Sequence, residues 1–283
     1  MIFTSEDRLA PQHNSLKLIY GNNLAQQDEA TFTNFINTYW SRQQREITPQ
    51  CVLQPSRSID VANAILISRL TQCPFAVKSG GHSSVPGGSN VDGSITINFE
   101  KLNRIVLAND KKPASFQPGN TWFDVYSALE EHNTTIIGGR VASAGVGELT
   151  LGGGISNLSS QYGLACDNVL SYEVVTASGI VLNVSQISYP DLYWALRGGG
   201  NNFGIVTQFD VQAMPQGLMW GGRQIYLESA FPALIQAYYN LGMDGKESGK
   251  AHQILSLGYS DMAIASLELE YADPTPNATI LAE

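Results

Sequence analysis

The chain has 283 residues, 43% hydrophobic and 14% charged, a balance that excludes a disordered polypeptide and leaves room for two modest domains. Its formal net charge of −9 repels phosphate backbones and argues against nucleic acid as a partner, so any phosphate it binds must be held locally, by main-chain amides. No stretch approaches the ~20 apolar residues needed to cross a bilayer. Residues 1–8 show no basic and apolar leader of a secretory signal, which leaves the cytoplasm as the default location.

In chain order, residues 1–30 read as an irregular leader, and residues 31–40 carry a mixed aromatic helix pattern. Cys51-Val52-Leu53, stopped by Pro55, reads as a strand. Ser58 is placed to cap a helix whose apolar Ile59, Ala62, Ile65, Leu66 and Leu70 recur at helical spacing. Phe75-Ala76-Val77 is a second apolar strand, which completes a βαβ unit with an expected right-handed crossover. Strands are expected at 95–98 and 105–107 and around Phe116. A helix then begins near Asn120, with Trp122, Val125, Tyr126 and Leu129 on one face. Residues 172–176 and 180–183, joined by Ala177-Ser178-Gly179, predict a hairpin. Pro190 opens a short helix to Leu196, and residues 205–211 predict a further strand. From Met219 the pattern becomes strand, helix (231–241) and two strands between 253 and 271. A parallel unit first and antiparallel strands later make the fold class α+β. A sheet with one helix as cover reads as unfinished, and the expectation is that something follows Glu283.

Three cysteines, Cys51, Cys73 and Cys166, have no metal-binding spacing. Cys51 and Cys73 could meet as a disulfide if their strands are parallel neighbours; buried thiols are the plainer reading. Sequons at Asn133, Asn157, Asn183 and Asn277 read as chance without a secretory signal.

Two glycine tracts carry the chemistry. Ser79-Gly80-Gly81-His82-Ser83 follows a strand, where successive glycines let amides converge on an anion; an ordinary turn is the competing reading. Residues 144–156 (AGVGELTLGGGIS) lack Lys and Arg and can lie flush against a flat ligand. A flexible linker would be polar, whereas Val146, Leu149, Leu151 and Ile155 are expected to be buried. Neither tract places a G-x-G-x-x-G turn as a Rossmann domain does, so a dinucleotide would bind through a different architecture.

Residues 75–83 (FAVKSGGHS), 138–168 (GGRVASAGVGELTLGGGISNLSSQYGLACDN) and 191–207 (DLYWALRGGGNNFGIVT) resemble the vanillyl-alcohol-oxidase/PCMH family. Within it they are most similar to the berberine-bridge-enzyme-like branch and its fungal FAD-linked oxidoreductases. The resemblance spans about residues 40–222. It implies a leader and helical segment (1–44), a PCMH-type FAD-binding domain of two α+β subdomains (45–217) and an incomplete α+β substrate domain (218–283).

The resemblance further implies that Ser79, Gly80, Gly81 and Ser83 cradle the FAD pyrophosphate, and that His82 bonds the flavin 8α-methyl carbon. Gly145, Gly147, Gly152, Gly153 and Gly154 would line the isoalloxazine and ribityl chain, and Ile205 and Val206 would lie near the adenine. Relatives with two covalent links carry a cysteine where this chain has Val141, so a single link is expected; Cys166 reads as a core thiol. The small Ala144 would leave room for oxygen. No catalytic base is assigned. Tyr226, Glu268, Glu270 and Tyr271 qualify by residue type alone, with ordinary strand residues as the plainer reading, and no metal is expected. The function implied is an oxidoreductase, an oxygen-using oxidase acting on a small secondary metabolite by hydride transfer to flavin N5. The alternative is a shortened, non-catalytic remnant of such an enzyme. A plain metabolite-binding module has no motif in its favour. Oligomeric state is not legible.

Overall fold

The computed structural model describes residues 14–244, 249–276 and 278–281; residues 1–13, the sequon at Asn277 and Glu283 lie outside them. The described part of the expected irregular leader is ordered. Residues 14–20 are helical, and β1 (Leu24–Gln26) pairs antiparallel with β2 (Cys51–Leu53). Leu16 and Leu24 are fully buried, and their apolar runs were too short to show a period.

The first sheet has the order β1-β2-β4-β3, in which β2, β4 (Ile95–Asn98) and β3 (Phe75–Lys78) are parallel. Every residue of β2 and β4 is buried, as expected of parallel strands covered on both faces. Because β4 runs between β2 and β3, the adjacency on which a Cys51–Cys73 bridge depended does not occur. Cys51, Cys73 and Cys166 are buried thiols, and burial, with Cys73 nearby, pushes the Cys51 thiol up to about 12.

Helix α1 (Ala30–Asn37) buries Phe32 and Phe35, and α2 (Ser58–Thr71) crosses from β2 to β3. Its cap differs from the expectation: Arg57 is the residue before the first turn, and Asp60 reaches back to accept from the amides of Ser56 (3.2 Å) and Arg57 (3.1 Å). A first-turn carboxylate thus satisfies the donors that Ser58 was expected to serve.

The second sheet is antiparallel, in the order β5 (Ile105–Leu107), β6 (Ala114–Phe116), β10 (Ile205–Val211), β8 (Val169–Val175), β9 (Val181–Ser185). Strands β8 and β9 form the expected hairpin. Helix α3 (Trp122–Glu130) starts after Thr121, whose backbone and hydroxyl both donate to Asp124. It packs Trp122, Val125 and Leu129 onto this sheet, together with α4 (Val146–Leu151) and α5 (Pro190–Leu196). A short pair, β7 (Thr134–Ile136) with β11 (Ala213–Pro215), escaped the sequence reading because strands this short, interrupted by threonine or proline, show neither alternation nor an apolar run. The cores of the two sheets meet at Val175, Val181 and Ile205, which pack with the first sheet's cluster while belonging to the second sheet. A third sheet, in the order β12 (Trp220–Leu227), β14 (Ala263–Tyr271), β13 (Ala251–Tyr259), carries α6 (Phe231–Asp244) on one face through Leu234, Ala265 and Leu267.

Candidate functional site

A cavity of about 410 Å³ opens between the first two sheets. Val77 of β3 lines one side and Ile205, Val206 and Phe209 of β10 the other. Ser79, Gly81, His82 and Ser83 of the loop after β3, and Gly147 and Leu151 of α4, complete it. The strand side of the lining is therefore apolar, and the loop side is built from glycines and hydroxyls. Ser89 Oγ at the wall is buried and has no hydrogen-bond partner among the described residues. The amides of Gly81, His82 and Ser83 likewise make no hydrogen bond there. Gly81 and Ser89 are buried and His82 and Ser83 half-buried, so an acceptor on this side of the cavity would meet open donors.

The loop is gripped from behind by residues 39–45. Trp40 donates its amide to Gly81 O (3.2 Å), Ser41 Oγ donates to Ser83 O (2.7 Å) and Gln44 Nε2 donates to Val85 O. Gly81 has φ of +76°, and a Cβ there would strike Lys78 Cε at 2.7 Å and Tyr39 at 3.0 Å, so only glycine fits. Gly80 lies directly against Gly145: a Cβ on Gly80 would sit 2.3 Å from Gly145 N. The two tracts found in the sequence therefore touch backbone to backbone. Glu148, in the first turn of α4, clamps them together, accepting from Gly80 N (3.0 Å) and Gly145 N (3.2 Å).

His82 is partly exposed at the cavity wall. Its Nε2 is 3.1 Å from Ser143 Oγ, and its ring stacks on Trp40 with centroids 5.6 Å apart and planes 17° from parallel. The imidazole is thus fixed in plane and rotation, with Nδ1 not engaged by the protein. Lys78, next to the loop, is 5% exposed and forms no salt bridge among the described residues. Its ammonium lies over the rings of Phe35 (5.6 Å) and Tyr39 (5.3 Å). Burial pushes its pKa below the ordinary lysine range, while Glu148 and Glu100 pull it back up.

Of the residues singled out in the sequence, Ser79, Gly81, His82, Ser83, Gly147, Ile205 and Val206 line this cavity. Gly80 and Gly145 do not; they form the seam behind it, and the Gly80 amide is taken by Glu148 rather than left for an anion. Gly152, Gly153 and Gly154 lie past the end of α4, outside the lining. Val146 is buried as expected, but Ile155 is 55% exposed. It follows two glycines of positive φ that turn the chain outward. Val141 is exposed and Ala144 buried. The sequence reading passed over Lys78, Glu148, Trp40 and Ser143. Lys78 carried a signal, being a charge at the strand position next to Val77 that must face the opposite side. The other three depend on contacts between distant segments.

The strand candidates for a base divide by register. Tyr226 and Tyr271 lie on the same face of the third sheet as Leu267 and Leu269, the face covered by α6, whereas Glu268 and Glu270 lie on the other. Glu268 pairs with Arg223 (3.1 Å), which occupies it. Glu270 stands opposite His252 across β14–β13, and His252 Nε2 meets Arg140 Nη1 at 3.3 Å. Glu270 Oε2 is buried without a partner. Burial, and next Glu268, push its carboxyl above the usual range, against the pull of Arg140. His252 is pushed down by burial and by Arg140. Arg140 is within about 11 Å of Ser143 along the chain. The arrangement is suited to giving and taking a proton near the loop that meets His82.

A family profile for an FAD binding domain matches residues 49–185, the segment that builds both glycine tracts and most of the cavity. Residues 49–185 carry an FAD-binding domain of this family. It is 41% identical over 238 residues to the FAD-dependent monooxygenase tpcD of Cochliobolus heterostrophus, covering 83% of this chain and 46% of that protein. It is 44% identical over 223 residues to the FAD-dependent monooxygenase FUP4 of Fusarium proliferatum, covering 78% and 43%. The chain thus spans about half the length of the curated relatives it matches. In fold it is similar to 6-hydroxy-D-nicotine oxidase of Arthrobacter nicotinovorans, with TM-score 0.81 and 24% identity over 91% of this chain and 58% of that one. It is also similar to the berberine-bridge-enzyme-like protein 1 of Physcomitrella patens, with TM-score 0.83 and 22% identity over 99% and 59%. The α+β architecture is that of the PCMH-type flavoproteins.

The residues present fit FAD. The unpartnered amides and Ser89 Oγ offer donors for a pyrophosphate, and the apolar wall from β3 and β10 offers a surface for a planar ring. No described helix is long and apolar enough to cross a membrane.

Proposed function

We propose that the chain holds FAD in the cavity between its first two sheets and carries it on His82, as part of an oxygen-using oxidoreductase acting on a small metabolite. The observation that carries this reading is the position of His82. Its ring stands at the cavity wall beside three free amides, fixed by Ser143 and Trp40 with one nitrogen left over. The bound cofactor supplies a two-electron acceptor for a C–H bond next to oxygen or nitrogen, regenerated by dioxygen.

The chain's own residues do the rest. Gly81 and Ser83 present amides to the pyrophosphate, and Ser79 fixes the start of α4 by accepting from Gly147 N (3.3 Å). Ile205 and Val206 pack at the apolar wall. Neutral imidazole is the nucleophilic form, so Nδ1 serves as the tethering atom while the Nε2 proton is held toward Ser143 Oγ. Val141, in place of a thiol, leaves His82 as the single covalent link.

The test is direct. The protein, made with ample riboflavin, is precipitated in acid and the tryptic peptide beginning at Ser79 is weighed. A yellow pellet and a peptide heavier by one FAD are expected, and His82→Ala should move the colour to the supernatant. A colourless pellet and an unmodified peptide from flavin-loaded protein would overturn the tether. Because the fungal relatives are named monooxygenases, the fate of oxygen has two outcomes: peroxide in solution, or isotope label from dioxygen in the product.

A further inference from the structure

An acidic protein that binds a pyrophosphate must concentrate positive charge where the phosphates sit. At net charge −9 this chain has no surplus of cations, and among the described residues neither lysine nor arginine lines the cavity. The loop also brings an opposing charge: Glu148, bonded to the amides of Gly80 and Gly145, is itself part of the wall. Open amides in a wall that also holds a carboxylate make a poor anion site unless a cation compensates.

Lys78 is the cation in place. It is the last residue of β3, pointing to the face opposite Val77, and its side chain runs directly behind Gly81, so close that a Cβ there would meet its Cε at 2.7 Å. A buried ammonium with no salt bridge among the described residues is costly, and the rings of Phe35 and Tyr39, with the more distant carboxylates of Glu148 and Glu100, offset part of that cost. An anion seated on the cavity side of Gly81 would supply more of that compensation. We propose that Lys78, seated beneath Gly81, is the fixed cationic floor of the pyrophosphate loop, a role that rests on the cavity being the FAD site. The charge acts through the Gly81 backbone, where the absence of a side chain keeps the separation short.

Two measurements on one variant distinguish this from ordinary packing. In a His82→Ala background, where cofactor exchanges, affinity for FAD and for ADP is titrated by fluorescence and calorimetry. Lys78→Met keeps the length and apolar stem but removes the charge. It should weaken FAD and ADP alike by roughly tenfold or more, while the flavin-free protein unfolds at the same denaturant concentration or higher, since a buried charge with no salt bridge has gone. Unchanged affinity for both ligands would overturn the proposal. So would a weakened affinity accompanied by a lower unfolding midpoint, which marks a packing role. If the Lys78-containing parent binds neither FAD nor ADP, the reading of the cavity fails, and the role of Lys78 with it.

Discussion

Glycine identity at the seam is decided by single atoms. A methyl group on Gly145 would lie 2.2 Å from Gly80 N, with backbone on the facing side and so no flexible atom to give way. Gly145→Ala should therefore part the two tracts, costing roughly 1–3 kcal/mol in a urea titration and lowering flavin content on purification. Retention of full flavin content by a stable Gly145→Ala protein would show that the loop tolerates separation. Composition alone marked these glycines as a turn or a ligand surface. Which role each serves was settled by what lies across from it: Gly81 faces the cavity, while Gly80 and Gly145 face each other.

Strand register sorted the four candidate bases where residue type left them equal. Glu270 is the one with a buried carboxylate oxygen, Oε2, that has no hydrogen-bond partner among the described residues, and its pKa is raised chiefly by burial. In the folded state it holds its proton more tightly than in the unfolded chain, so its contribution to stability is present below the ordinary glutamate pKa and is lost as pH rises through the raised value. Glu270→Gln should remove that loss: the difference in unfolding midpoint between variant and parent should grow in the variant's favour from acid toward neutral pH. A constant difference across the titration would place the Glu270 pKa at its ordinary value. His252 carries the opposite sign, since its lowered pKa costs stability as pH falls through the usual histidine range. At this scale the sequence served well for β2, β3, β4, α2, α3 and the β8–β9 hairpin, where apolar runs or periodic faces are long enough to read. It failed for β1, β7 and β11, three-residue strands with a polar residue or a proline where the equally short β2 has an all-apolar run.

Fold and site share one core. Phe209 is fully buried, stacks on Phe116 (5.3 Å, 17°), meets Tyr172 edge-on (5.7 Å) and also lines the cavity. Phe209→Ala should cost about 3–5 kcal/mol in global unfolding and also weaken flavin retention, because the emptied volume opens into the cofactor cavity. Loss of stability with flavin binding untouched would separate the cavity wall from the core. The third sheet attaches differently. Its α6 face is packed, while Ile225, Leu227 and Ile264 on the other face are exposed, and that face carries His252, opposite Glu270, to Arg140.

What the sequence determined by itself is the local matter: two glycine tracts of the right spacing, a histidine within the first, and strands and helices whose side-chain periods exceed one turn or two pleats. These depend on neighbours in the chain, so the order of residues contains them. Only the tertiary structure decided which amides stay open, that Glu148 takes two others, and that Lys78 lies buried behind Gly81 with no salt bridge among the described residues. Those depend on segments some 70 positions apart being pressed to within hydrogen-bond distance, as Gly80 and Glu148 are, |i−j| = 68, and no local pattern encodes such an approach.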